Sequence, residues 1–271
     1  MTNKYLSLEQ LQKAEYEILK STVRFFEEND INYMLAFGTL LGAVRHNGFI
    51  PWDDDIDLLV DRKDYEKLKQ LAALKKMSDP NLKIRLPGDD NYPYPFIKII
   101  DTTIKVEDES ILPKFGLNLW IDILPLDHFP EDENETQKLL DKQMRLRKRL
   151  NTGVSGLYKD NKIKAILKRI LYIRYGGYRR LCRMIDGIGK KADEKYNNTE
   201  LMGNMVWAQY GRDYYNVSML TPVIKHTFCD DEFLIPKNYH ELLEYIYGDY
   251  SVFPPEDKRV RHKIKAYRII D

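Results

Sequence analysis

The chain has 271 residues, 43% of them hydrophobic, with nineteen tyrosines and a formal net charge of +1. This is enough apolar material for one large domain, or for a core domain with a smaller helical subdomain, so the chain can bury a substantial core and need not be disordered. The polar opening MTNKYLSLEQLQK and a longest charge-free stretch of only Ile31–Val44 supply neither an export signal nor the roughly 20 apolar residues of a bilayer span.

Ser7, followed by Leu8, Leu11, Ala14, Ile18 and Val23, predicts a capped amphipathic helix reaching about Asp30. A short apolar strand over Tyr33–Phe37 ends at Gly38, and a short helix runs from Thr39 to about Arg45. Asn47–Trp52 reads as a loop from its Gly and Pro. Asp55–Val60 is the next strand, with Asp61 placed to cap a helix containing Tyr65, Leu68 and Leu71. Lys83–Leu86, Phe96–Ile100 and Thr103–Val106 are strand candidates, and Leu117–Leu124 is another that Pro125 ends. Beyond Glu131 the pattern is helical to about Tyr196, interrupted at Asn151-Thr152-Gly153 and at Gly176-Gly177. A last helix is predicted over Tyr239–Tyr247. The two cysteines, Cys182 and Cys229, are too few for a disulfide framework or a thiolate zinc site, and fit a cytoplasmic protein whose thiols stay reduced.

The helical stretch is also basic. Between Lys142 and Lys195 there are 17 Lys and Arg against 4 Asp and Glu, which leaves the rest of the chain net acidic. Such asymmetry sets one surface against something anionic while another holds cations. The layout predicted is an α/β core over residues 1–130, a basic helical insert over 131–200, and a segment over 201–271 that returns to complete the core.

The most informative segment is Phe37-Gly38-Thr39-Leu40-Leu41-Gly42, then Arg45, then Pro51-Trp52-Asp53-Asp54-Asp55-Ile56-Asp57-Leu58. Residues two apart in a strand share a face, so Asp55 and Asp57 stand side by side, with Asp53 joining them if the strand begins early. Paired carboxylates raise each other's pKa unless a cation lies between them, and hard oxygen ligands favour magnesium or manganese. Upstream, the backbone at Gly38, the Thr39 hydroxyl and the Arg45 fork are suited to phosphate oxygens. Asp122, between Ile121 and Ile123, is costly to bury without a partner, which a metal would supply. Alone, a Gly-Thr turn is most often a plain turn and an acidic run a solvated loop. Their order, with Asp122 on a later strand, resembles the α+β nucleotidyltransferase fold of polymerase beta type, a mixed sheet flanked by helices.

The resemblance is closer than fold level. Gly38-Thr39-Leu40-Leu41-Gly42-Ala43-Val44-Arg45, with Gly48-Phe49-Ile50-Pro51-Trp52-Asp53-Asp54-Asp55-Ile56-Asp57, is similar to the signature of the LicD family, phosphotransferases related more distantly to fukutin and fukutin-related protein. Trp120–Asp127 resembles the family's second block; Tyr247-Gly248-Asp249-Tyr250, Pro254-Pro255, Arg259 and His262 resemble its C-terminal block, with Lys263 where a second histidine is expected. The resemblance implies transfer of a phosphorylated alcohol, phosphocholine from CDP-choline, to a sugar hydroxyl of a teichoic acid or lipopolysaccharide precursor, with release of CMP. It implies magnesium or manganese on Asp55, Asp57 and Asp122, Asp122 as acceptor of the hydroxyl proton, and phosphate contacts from Gly38, Thr39, Arg45, Arg259 and His262. A choline donor calls for aromatic ring faces, for which Trp52, Tyr92, Tyr94, Trp120 and Trp207 are on offer.

The insert matches no family block. Its Leu167, Ile170, Leu171, Ile173 and Tyr175 interleave with Lys168, Arg169, Arg174, Arg179 and Arg180, a pattern shared by helices on anionic membranes and by solvated, salt-bridged helices. Peripheral contact with the inner face of the plasma membrane, where a lipid-linked glycan acceptor would lie, is therefore an expectation, and nucleic acid is not an expected partner. A nucleotidyltransferase moving NMP from an NTP would use the same carboxylates. A catalytically silent binding protein would have no need of them.

Overall fold

A computed structural model describes residues 5–74, 77–155, 162–208, 213–259 and 264–269, apart from the side chains of residues 162–165, 168 and 258. The first helix, α1 (Leu8–Glu27), opens with a reciprocal capping box in which the Ser7 hydroxyl accepts from Gln10 N–H and the Gln10 side chain accepts from Ser7 N–H. Its apolar stripe packs against the strands β4 (Ile97–Asp108) and β5 (Asn118–His128).

The sheet runs in the order β1 (Met34–Leu35), β2 (Asp57–Asp61), β5, β4, β10 (Ile264–Arg268). β3 (Leu82–Arg85) adds to the other half of the β4 edge, and β6 (Leu201–Gly203) with β7 (Tyr214–Asn216) extends the far end of β5. The β2–β5 pair is parallel and its neighbours are antiparallel, so the sheet is mixed. Leu58, Leu59 and Val60 are all buried, as in a strand covered on both faces. Helix α3 (Arg62–Leu74) packs on β2 and β5.

Strands β4, β5 and β1 differ from expectation in their bounds. β4 is one strand where two were predicted. It carries a register shift between Asp101 and Lys105, held by the Asp101 carboxylate, which accepts from Thr103 N–H at 2.8 Å and from its hydroxyl at 2.6 Å. β5 continues through Pro125. Asp122 N–H donates to Ile56 C=O on the β2 side, so the nitrogens of residues 123 and 125 face the β4 side, and β4 pairs no further than Ile123. The missing N–H of Pro125 therefore forfeits no ladder bond there. β1 has two residues instead of five.

The basic stretch forms α4 (Glu133–Val154), α5 (Lys162–Arg174) and α6 (Gly177–Tyr196). Residues 156–161 lie outside the described residues. The break at Gly176-Gly177 is present, both glycines holding positive φ (79° and 70°). The predicted break at Asn151-Thr152-Gly153 is not: α4 runs to Val154, and Gly153 stays helical with the Tyr172 ring seated where a Cβ would project. α6 is no loose appendage, since Leu181, Cys182 and Ile185 are fully buried and the helix packs on β5.

After β7 come a short helix, α7 (Val217–Leu220), the hairpin β8 (Val223–Phe228) and β9 (Asp231–Pro236), and α8 (Tyr239–Tyr247) with the bounds predicted. The hairpin braces the first block. Cys229 N–H donates to Asn47 C=O at 2.7 Å, and Phe228 packs on Phe49. Both cysteines are free thiols.

Candidate active site

Helix α2 (Phe37–His46) begins two residues earlier than predicted, so Gly38 and Thr39 lie in its first turn. Phe37 holds a left-handed backbone (φ 46°), an uncommon conformation for a bulky side chain. This turn grips Asp57 from both sides: Ala36 N–H donates to Asp57 C=O at 3.0 Å, and the buried Thr39 hydroxyl accepts from Asp57 N–H at 2.9 Å. Gly38 makes room for Asp53, since a Cβ there would stand 2.7 Å from Asp53 Oδ2. From α1, Gln12 donates to Asp53 C=O at 2.8 Å.

Strand pairing then assembles the centre. Asp57 of β2 is opposite Asp122 of β5, and Asp122 is opposite Lys98 of β4. Directly paired residues share a face, so the three side chains form a row across the middle of the sheet. Lys98 Nζ donates to Asp122 Oδ1 at 2.5 Å. Asp55 precedes β2 by two residues instead of lying within it, and shares a carboxyl hydrogen bond with Asp53.

The electrostatics are lopsided. Burial first, and then Asp55 and Asp122, hold the Asp57 carboxyl well above the usual carboxylate range, with Lys98 opposing them. Burial and the neighbouring Asp55 push Asp53 up to about 8. Glu15 of α1, almost wholly buried, is raised by its burial and by Asp55, Asp54, Asp53 and Asp122, and its Oε2 has no hydrogen-bond partner. Lys98 contributes one positive charge, and its own pKa is lowered because burial outweighs its carboxylate neighbours. Among the described residues, no three His, Cys, Asp or Glu side chains are arranged to chelate a metal as they stand.

Beside this row lies a cavity of about 320 Å³ lined by Tyr94, Phe96, Trp120, Trp207, Lys98 and Asp122. The Lys98 ammonium sits 4.1 Å from the centre of the Trp120 ring system and 4.2 Å from that of Tyr94. Tyr92 is buried behind the wall, its hydroxyl donating to Phe96 C=O. Trp52 stands elsewhere, under the Arg259 guanidinium at 4.4 Å.

Arg45 and Arg259 meet around the C-terminal block. Arg45 donates to Tyr250 C=O at 2.9 Å and lies over Phe253, which packs on Trp52. Burial lowers the Arg45 pKa. His262 lies outside the described residues. Sequence reasoning missed Lys98 and Glu15. Each had a signal: Lys98 interrupts Ile97 and Ile99 in an apolar strand, and Glu15 falls on the Leu11–Ile18 stripe of α1.

Known proteins are similar to this chain over parts or the whole of its length. A model of the LicD/FKTN/FKRP nucleotidyltransferase domain matches residues 30–85, which include α2, Asp55 and Asp57. The lipopolysaccharide cholinephosphotransferase LicD of Haemophilus influenzae is 26% identical over 273 aligned positions, covering 98% of this chain and 100% of that protein. Human ribitol 5-phosphate transferase FKRP is 39% identical over 61 residues, 22% of this chain and 12% of that protein. An uncharacterised protein of Rickettsia prowazekii is 45% identical over 56 residues, 21% of each chain. The chain thus carries a LicD-type domain over residues 30–85 and is similar to a LicD protein along its whole length.

Proposed function

We propose that the protein is a metal-dependent phosphotransferase that moves phosphocholine from CDP-choline to a sugar hydroxyl of a teichoic acid or lipopolysaccharide precursor, releasing CMP. The observation that carries this reading is the row Asp57–Asp122–Lys98 beside an aromatic cavity. Two of the similar proteins, a lipopolysaccharide cholinephosphotransferase and a ribitol 5-phosphate transferase, support phosphoryl-alcohol transfer to glycans as the reaction class.

The donor set suits magnesium or manganese. Asp55, Asp57 and Asp122 offer hard oxygens, and their surroundings hold more negative charge than Lys98 offsets, down to the orphaned Glu15 oxygen. When bound, such an ion would neutralise charge building on the diphosphate. The chain's own residues do the rest. Asp122 accepts the proton of the attacking sugar hydroxyl as oxygen bonds to the phosphocholine phosphorus and the bond to CMP breaks. Lys98 holds Asp122 in position from the far side of the row. Thr39 and the Ala36 N–H fix the Asp57 backbone, which pre-organises the centre. Tyr94, Phe96, Trp120 and Trp207 present ring faces, the surface that binds quaternary ammonium groups.

The test is CMP release from CDP-choline with magnesium and a cell-wall glycan precursor, by wild type and by Asp57→Ala. Metal-dependent release that the variant lowers by about a thousandfold or more is the expected result. Activity on a different CDP-alcohol alone would replace choline and keep the mechanism. Pyrophosphate release from an NTP, with none from CDP donors, would make the protein a nucleotidyltransferase.

A further inference from the structure

Helix α5 gathers five of the exposed large hydrophobic residues described in the molecule. Its sequence, KIKAILKRILYIR, carries five basic residues and no acidic one. Ile166, Leu167, Ile170, Leu171 and Ile173 are all between 45% and 64% exposed. At about 100° per residue these five side chains fill one continuous arc of roughly 160°. Arg169 borders that arc and Arg174 projects within it at the helix end, both exposed. Tyr172 lies on the opposite side. It is half-buried, its hydroxyl accepts from Tyr178 N–H at 2.9 Å, and its ring covers Gly153 of α4. Tyr175, expected on the exposed face, is half-buried, with the Arg149 guanidinium 4.3 Å from its ring centre. The helix is thus anchored by its tyrosines and presents aliphatic side chains outward.

A solvated helix carries charge of both signs on its outer face, and scattered exposed apolar residues do not fill a continuous arc. We infer that α5 is a docking helix for an anionic lipid surface. Aliphatic side chains without a compensating acid, edged by arginines, match what an interfacial helix needs: apolar area for the acyl boundary and cations for the headgroups. With 13 residues, α5 is too short to span a bilayer, and no described helix is long and apolar enough to do so. It would lie flat in the interface.

Its position gives the docking a purpose. Gly153, under the Tyr172 ring, sits between Asn151 and Val154, and both line the cavity that holds Asp122 and Lys98. Seating α5 on a membrane would hold α4, the helix that borders that cavity, on the protein side of the docking helix, on the same membrane as a lipid-linked acceptor. The inference concerns where the protein works and is independent of which donor the site takes.

The experiment is flotation of the full chain with vesicles of pure phosphatidylcholine and of phosphatidylcholine with phosphatidylglycerol, at low and high salt. It includes Ile170→Glu/Ile173→Glu and Arg169→Glu/Arg174→Glu, with sedimentation velocity of each protein without lipid and thermal melting as a fold control. Wild type floats with the anionic vesicles at low salt and is released by high salt. Either double variant, melting as wild type does, loses about tenfold or more of the bound fraction. Absence of flotation at low salt, equal flotation with neutral vesicles, or variants that float like wild type would overturn the inference. So would a lipid-free dimer that the isoleucine substitutions dissolve, because the face would then belong to a second copy of the chain.

Discussion

Strand β5 carries two aspartates five residues apart, Asp122 half-buried and Asp127 fully buried, and they lead opposite lives. Asp127 is fully buried and paired: Arg62 of α3 donates to it at 2.6 Å and to Asp186 of α6 at 2.7 Å, and Lys69 also reaches Asp186, although burial still pushes the Asp127 carboxyl up to about 6. Asp122 belongs to a set in which carboxylates outnumber the cation that serves them. Neighbouring ends of one strand pair thus hold a charge cluster that fastens helices to the sheet and another with an unfilled demand for positive charge. Residue type and strand do not separate these roles; the partners do.

Breaking the balanced cluster has the largest expected effect on stability. Asp127→Ala leaves Arg62 buried with one carboxylate fewer, and loss of one member of a buried ion pair costs about 3–5 kcal/mol. At about 2–4 °C per kcal/mol for a domain of this size, the melting temperature falls by roughly 10 °C. Asp57→Asn in the unbalanced cluster puts a neutral amide where burial and neighbouring carboxylates disfavour ionisation, and melts at or above wild type. Differential scanning calorimetry of the two variants reads the contrast directly; equal destabilisation would mean that the acidic row is as structural as the Arg62 cluster.

This contrast also marks how far the sequence could be read. Local signals were legible: the Ser7 capping box of α1, the bounds of α8 and the glycine break before α6 each depend on residues within a turn or two. The placing of Asp57 and Asp122 on strands was legible too, from carboxylates set beside apolar residues at a spacing of two. Register was not legible. That Lys98 stands beside Asp122, that Thr39 ties down Asp57, and that Pro125 sits inside β5 all follow from which strands pair, over separations of 18 to 24 residues for the first two contacts. The same limit explains why Tyr94, Trp120 and Trp207 could be named as ring faces but not gathered into one wall.

Lys98 is the hinge between the two kinds of charge, and replacing it is the next step down in expected effect. Lys98→Met keeps much of the length and apolar stem but leaves Asp122 without its cation and the ring faces without an ammonium. Removing one partner of a buried charge-assisted contact costs about 1–3 kcal/mol. Turnover should fall with little change in donor KM, as Asp122 loses its positioning. Lys98→Arg, which restores the charge, should recover part of the turnover. Wild-type turnover in Lys98→Met would assign Lys98 to the fold alone.

The smallest effect is the one that reads the charge surplus itself. Glu15, Asp53 and Asp57 bind protons more readily in the folded chain than their ordinary pKa values allow, chiefly because they are buried among one another. Their contribution to stability is therefore complete below the ordinary carboxylate range and diminishes as pH rises; that of Asp53 is lost above about 8. The metal-free protein should accordingly lose a few degrees of melting temperature between about pH 5 and about pH 8.5. Magnesium should flatten that slope, because a cation that replaces the departing protons binds the folded state alone. In Asp57→Asn the slope should be shallower even without metal. A steep slope that magnesium leaves untouched would show that the surplus is not a cation site; a flat slope in metal-free buffer would show that Lys98 and the surrounding dipoles already balance it.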